Sequence, residues 1–277
     1  MKAIWMLAAF AWAALAATDA GQCNEMLQHA LESKNPDTRK SAVVALSLAA
    51  NDNPLLDKLA GMLDDKDVPV RVAVVTGLAE IKTKAATAAL ERALHDEVPE
   101  VSFAAAKALY ARGQPDGKAA LLAVLEKESK TSSGFFTSQM REALRMMHTP
   151  RATFLYAVRQ GLGFVPLPGF GEGVASMQAL LSDPGVSGRA AAALLLGKDK
   201  DQATIDGLKD ALYDKDWHVR AAAVHSLALE NRPALKSDLE PLTLDDKEEV
   251  RLRAAAAWLR LNAIESRRKG KAAAKAN

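Results

Sequence analysis

The sequence predicts an all-α protein built as a solenoid of stacked helix pairs. Three observations carry that expectation. Apolar residues make up 49% of the 277-residue chain and aromatics only 5%; much of the apolar share is alanine, the strongest helix former, and β-branched runs that favour strands are few. Arg39, Arg71, Arg189, Arg220 and Arg251 recur, with Ser102 in the same register, at steps of 32, 31, 87, 31 and 31 residues. Further columns of like residues keep that register, which is the mark of a repeat architecture.

The columns have physical meaning. Six places before the register residue stand Ser33, Asp65, Asp96, Asp183, Asp214 and Asp245. An aspartate there suits the turn that closes one helix and opens the next. One place before come Thr38, Val70, Val101, Gly188, Val219 and Val250; three after come Ala42, Val74, Ala105, Ala192, Ala223 and Ala254; seven after come Leu46, Leu78, Leu109, Leu196, Leu227 and Trp258. These places share one helical stripe and so face a core. Pro36, Pro99 and Trp217 stand three places before the register residue, at the start of the second helix, where proline costs no hydrogen bond. Each unit therefore reads as helix, tight turn, helix. One such pair cannot bury its apolar face alone, so the units must stack.

Taken in order, the chain opens with "MKAIWMLAAFAWAALAATDAGQC". A single lysine, an apolar run from Ala3 to Ala17, and small residues at Thr18 and Ala20 read as a secretory signal peptide over residues 1–20, which places the mature protein in a periplasm or outside the cell. The apolar run is short for a membrane span. Cys23, the only cysteine, excludes an internal disulfide; Gln22 stands where a lipoprotein signal would have a small residue. N-terminal units are expected over 24–148, the last of them a pair at 116–127 and about 135–147. An irregular seam follows over 149–173, then C-terminal units over 174–264. The seam holds "GLGFVPLPGFGEG" (161–173), in which glycine and proline break a helix while Phe164, Val165, Leu167 and Phe170 supply apolar surface. Those four residues are candidates either to fill the gap a missing helix leaves or to dock a partner. The first and last units differ from the others two places after the register residue, with Ser41 and Arg253 in place of alanine. That polarity suggests they are the wetted end caps of the array.

Residues 265–277 read as a disordered tail. Within it Arg267, Arg268, Lys269, Lys271 and Lys275 give residues 266–277 a charge of +5 with no acidic residue, against +2 for the whole chain, so the rest carries −3. Such a tail suits an anionic envelope surface. Nucleic acid is not expected, because the body offers no basic face to continue the contact.

The units "DDKDVPVRVAVVTGL" (64–78), "YDKDWHVRAAAVHSL" (213–227) and "DDKEEVRLRAAAAWL" (245–259) resemble the HEAT-repeat family, in particular the short HEAT-like units of phycobilin lyases. The resemblance implies a right-handed solenoid used as a protein-interaction surface. It also implies a ladder between neighbouring units, carried by Asp65, Asp96, Asp183, Asp214 and Asp245 with Arg71, Arg189, Arg220 and Arg251, and broken at Ser102. The resulting expectation is an exported, non-catalytic scaffold for a protein partner, with no cofactor and no metal. Trp217 is a candidate anchor, since tryptophan is enriched among binding hot spots. One alternative is an envelope- or membrane-associated adaptor using loop 161–173 and the basic tail; a lesser one is a bilin-lyase-like enzyme. His29, His95, His148, His218 and His225 have no partner at metal-ligand spacing, and no nucleophile elbow, phosphate loop or dinucleotide fingerprint occurs.

Overall fold

A computed structural model describes residues 18–49, 53–128, 186–197 and 199–276. Loop 161–173, with Phe164, Val165, Leu167 and Phe170, and Asp183 lie outside them. The described residues form α-helices α1 (Ala20–Leu31), α2 (Pro36–Leu46), α3 (Leu56–Gly61), α4 (Val68–Glu80), α5 (Lys84–Ala93), α6 (Pro99–Ala111), α7 (Pro115–Glu128), α8 (Gly188–Leu196), α9 (Gln202–Ala211), α10 (Trp217–Leu229), α11 (Lys236–Leu239) and α12 (Glu248–Ala276). Short 3-10 turns flank α3 and α11, and there is no strand among these residues. The chain is an α-solenoid.

Local sequence sets the helix starts. Asn35, Asp67 and Asp216, four places before the register arginine, cap α2, α4 and α10 by accepting backbone N–H bonds. Pro36 and Pro99 are the first residues of their helices and Trp217 takes the same place in α10. Thr83, Ser187 and Asp201 cap α5, α8 and α9. Two close approaches depend on glycine. A Cβ on Gly197 would lie 2.5 Å from Ser226 Oγ, and one on Gly117 would lie 2.2 Å from the backbone nitrogen of Tyr110.

Among the described residues the second helices of the units, with α7 added at one end, form one row, and its order differs from the order of the sequence. In space α7 packs on α6, α6 on α4, α4 on α2, α2 on α12, α12 on α10, and α10 on α8. The first and last units, read from the sequence as end caps, are therefore neighbours in the middle of the row. Arg253, offered as a wetted end residue, is only 4% exposed. α2 and α12 pack on each other, and Ala42, Ala45 and Leu46 of α2 and Ala254, Ala255, Ala256 and Ala257 of α12 are fully buried. Alanine lets the two helices approach closely, and close packing is what makes burial stabilising. Thr38 Oγ1 donates to Glu248 Oε2 across the junction at 2.8 Å, and α1 packs on α12 beside α2.

Among the described residues, the flanks of the long sequence interruption, α7 and α8, stand at the two ends of the row instead. On α8 the expected core residues Ala192 and Leu196 are exposed; Leu196 is 44% exposed and Leu195 41%.

The tail is corrected too. Residues 265–276, read as disordered, continue α12 to Ala276. Their sequence favours this: alanine, arginine and lysine are good helix formers, and cations near a helix C-terminus complement its dipole. Lys269 pairs with Glu265 one turn back at 2.6 Å, and Arg268 donates to the carbonyl of Asn231 at 3.1 Å.

Candidate functional site: the turn edge of the array

The turns between paired helices line one edge of the row, and a repeated set of bonds fixes them. Arg39 grips both carboxylate oxygens of Asp65, each at 2.7 Å. Arg71 holds Asp96 at 2.9 and 3.0 Å, Arg220 holds Asp245 at 2.7 Å twice, and Arg189 bonds Asp214. Each of these aspartates also accepts the backbone N–H two residues on, at 2.8–2.9 Å. Arg39, Arg71, Arg220 and Arg251 each return one N–H to the carbonyl six places back in their own unit. A planar, bidentate arginine is suited to this double task. The Arg39 guanidinium holds the Asp65 carboxyl below the usual carboxylate range.

Arg39 belongs to the ladder although the resemblance did not place it there. Its position in the arginine column was the available signal. Ser102 reaches only Pro99 of its own turn, at 3.2 Å. In the row, Arg251 is followed by Ser33, the one member of the aspartate column without a carboxylate; Arg251 donates to the carbonyl of Asp245 at 2.7 Å. On the opposite edge Arg112, at the end of α6, donates to the carbonyls of Leu78, Ala79 and Ile81 and to Thr87 Oγ1, covering the last turn of α4. No column in the sequence pointed to that clamp.

The ladder brackets Trp217. Asp214 and Arg220 hold the turn before it, Asp216 caps the helix it opens, and its ring stacks on His218 with centroids 3.8 Å apart. His218 Nδ1 lies 3.0 Å from Asp216 Oδ1. Trp217 is half-buried and packs partly against the core. Beside it in the same turn Tyr213 is 74% exposed, and at the same place in the next turn Leu244 is 77% exposed. The other units carry Glu32, Asp64, His95 and Ser182 at that place. Two successive units thus present large apolar side chains where the others are polar, a contrast legible in the column seven places before the register residue but not drawn from it. Lys215, Asp246 and Lys247 are exposed around them.

Comparison with known proteins now adds to this geometry. The family model for HEAT repeats matches residues 56–132 and 175–260. The chain belongs to the HEAT-repeat family. Among solved structures, human deoxyhypusine hydroxylase in complex with glycerol is similar at 20% identity over 88% of this chain and 97% of that one, with a TM-score of 0.33. An engineered protein (16% identity, 87% and 97% covered, TM-score 0.27) and a designed armadillo repeat protein (20%, 86% and 99%, TM-score 0.24) are similar as well. No curated protein matches.

The remaining polar groups of these HEAT units offer little chemistry. Among the described residues no group of His, Cys, Asp and Glu is placed to hold a metal ion. Cys23 is buried in the core, and burial, with Asp19 and Glu240 nearby, pushes its thiol up to about 12. That environment makes an inert thiol. His225 is buried in α10, and burial, with Arg253 and Arg260 nearby, pushes it down to about 3. No described helix is long and apolar enough to cross a membrane.

Proposed function

We propose that this protein is an exported, non-catalytic scaffold that binds a protein partner, with the turn edge of its last two units as the docking surface. One observation carries the reading: Tyr213, Trp217 and Leu244 stand on turns that the Arg189–Asp214 and Arg220–Asp245 rungs hold in place. Anchors already fixed lose little conformational freedom on binding, and a polar rim around an apolar centre is the usual anatomy of an interface. HEAT and armadillo repeat folds generally mediate protein–protein interaction. Export rests on the apolar leader of the sequence.

The test is a triple variant, Tyr213→Ser, Trp217→Ala and Leu244→Ser, against the parent. The expected result is a nearly unchanged thermal midpoint and loss of a partner that cross-links to the parent in periplasmic extract. A large drop in midpoint would assign the three residues to packing; retained capture would move the docking surface elsewhere.

The basic end of α12 favours a second reading, an adaptor at an anionic envelope surface. Arg267, Arg268, Lys269 and Lys271 are exposed on α12, and Lys275 follows on the same helix. Arg267, Lys271 and Lys275 recur every four residues, so they share one stripe. Loop 161–173 would supply apolar contacts in that reading. Sedimentation with phosphatidylglycerol vesicles tests it: binding should fall with salt and with Lys271→Gln plus Lys275→Gln. A lyase-like enzyme, the third reading, requires a coloured or small-molecule ligand that co-purifies with the chain.

A further inference from the structure

The fold uses two residues that a signal-peptide cut after Ala20 would discard. Asp19 Oδ1 accepts the Gln22 N–H at 2.8 Å and caps α1. The Thr18 N–H donates to Glu240 Oε1 at 2.7 Å, and Thr18 Oγ1 lies 3.5 Å from Thr243 Oγ1. These contacts tie the start of the chain to the last unit, next to the α1–α12 packing. A chain beginning at Gly21 would lose the cap, lose the Glu240 contact, and place a terminal ammonium at a helix N-terminus, where positive charge is unfavourable. A cut that frees Cys23 for lipid attachment is worse, because Cys23 is only 1% exposed and sits in the core with Leu27.

An earlier bond meets the same sequence requirement without this loss. Ala14-Leu15-Ala16 puts small residues at the −3 and −1 places and leaves an apolar run of signal-peptide length from Ala3 to Ala13. A cut one residue later would put the bulky Leu15 at −3. We propose that a membrane-bound signal peptidase hydrolyses the Ala16–Ala17 bond and that the mature chain begins at Ala17. Water adds across the amide: the leader leaves with the Ala16 carboxylate, and Ala17 keeps the nitrogen as an ammonium. A chain that begins at Ala17 keeps the Thr18 amide that Glu240 accepts. The inference rests on the export reading given above.

The experiment expresses the full chain with a C-terminal tag in an export-competent bacterium and sequences the N-terminus of the purified product. Ala17 as first residue is expected. A product beginning at Gly21, Cys23 or any other internal residue overturns the cut while leaving export standing. An unprocessed chain retained in the cytosol overturns export itself, and the cut with it. A second measurement compares mature chains beginning at Ala17 and at Gly21. The shorter one should melt about 2–4 °C lower, and Glu240→Gln should lower the midpoint of the longer chain but not of the shorter. Equal midpoints would show that the fold does not use Thr18 and Asp19.

Discussion

At the scale of single residues, the ladder is not uniform, and its unevenness is measurable. The side chain of Arg220 is 12% exposed and bonds Asp245 and Asp246 of the next unit, whereas that of Arg189 is 56% exposed and bonds Asp214. Removing a carboxylate from a buried arginine leaves a charge that water reaches poorly, whereas an exposed arginine is resolvated. Asp245→Ala should therefore cost about 2–4 kcal/mol and Asp214→Ala about 1 kcal/mol, read from denaturant unfolding of the two variants. Equal costs would show that the shared backbone contact, not the arginine, carries the effect. His225 gives a second handle. An unfolded imidazole takes up a proton below about pH 6.5, but buried His225 stays neutral down to about 3. Through that window the unfolded state binds more protons than the native one, so stability falls as pH falls, by about 1.4 kcal/mol per pH unit from this residue. Above pH 6.5 both states are neutral and the effect vanishes. His225→Leu should flatten the slope of midpoint against pH between 6.5 and 4; an unchanged slope would assign the acid sensitivity to other groups.

At the scale of elements, helix starts were legible because their chemistry is local. Asp67 and Asp216 cap, and Pro36 and Pro99 open, wherever the chain places them. The end of α12 was not legible in the same way. A run of five cations reads as solvated and self-repelling, yet Glu265 accepts both Lys236 and Lys269, at 2.7 and 2.6 Å, and Asn231 holds Arg268. Asn231 does so from a left-handed backbone (φ 55°) that asparagine tolerates. The contacts of Lys236 and Asn231 come from outside α12 and leave no trace in the tail's own sequence. Gly270→Pro should strip the helical signal of residues beyond it, and Gly270→Ala should strengthen that signal, by about 1 kcal/mol of local propensity. Amide exchange over 266–276 measures both, and fast exchange in the parent chain would count against the helical tail.

At the scale of the whole molecule, the periodic columns revealed the units but not their order in space. Periodicity reports which face of a helix is buried, and says nothing of which neighbour buries it. Ala45 and Ala255 occupy ordinary core places in their own units, and neither column says that α2 packs on α12. Arg253 looked like an end cap for the same reason: a polar residue in a column of alanines is wetted at an end and buried at a junction. The candidate anchors at Tyr213 and Leu244 were missed because each is unremarkable alone and informative only beside its counterpart in the next unit. The row makes a strong demand on its two halves. Co-expressed as separate chains, residues 17–185 and 186–277 should associate through α2 and α12 and co-purify with only one half tagged. Two separately folded, non-associating fragments would mean that the junction is not an interface of its own strength.

The meeting of α2 with α12 also sets a timetable. Synthesis runs from the amino end at about 5–20 residues per second, so the face of α2 that α12 covers waits on the order of 10–40 s for its partner. During that wait the side of α2 that meets α12 has no lasting cover, and Thr38 has no Glu248 to bond. A chain arranged in linear order would close each unit as it emerged; this one is completed only when its last helix arrives. Delay of that kind keeps a polypeptide loose enough to be threaded through a translocation channel, and it moves the decisive folding step to whatever compartment receives the carboxyl end.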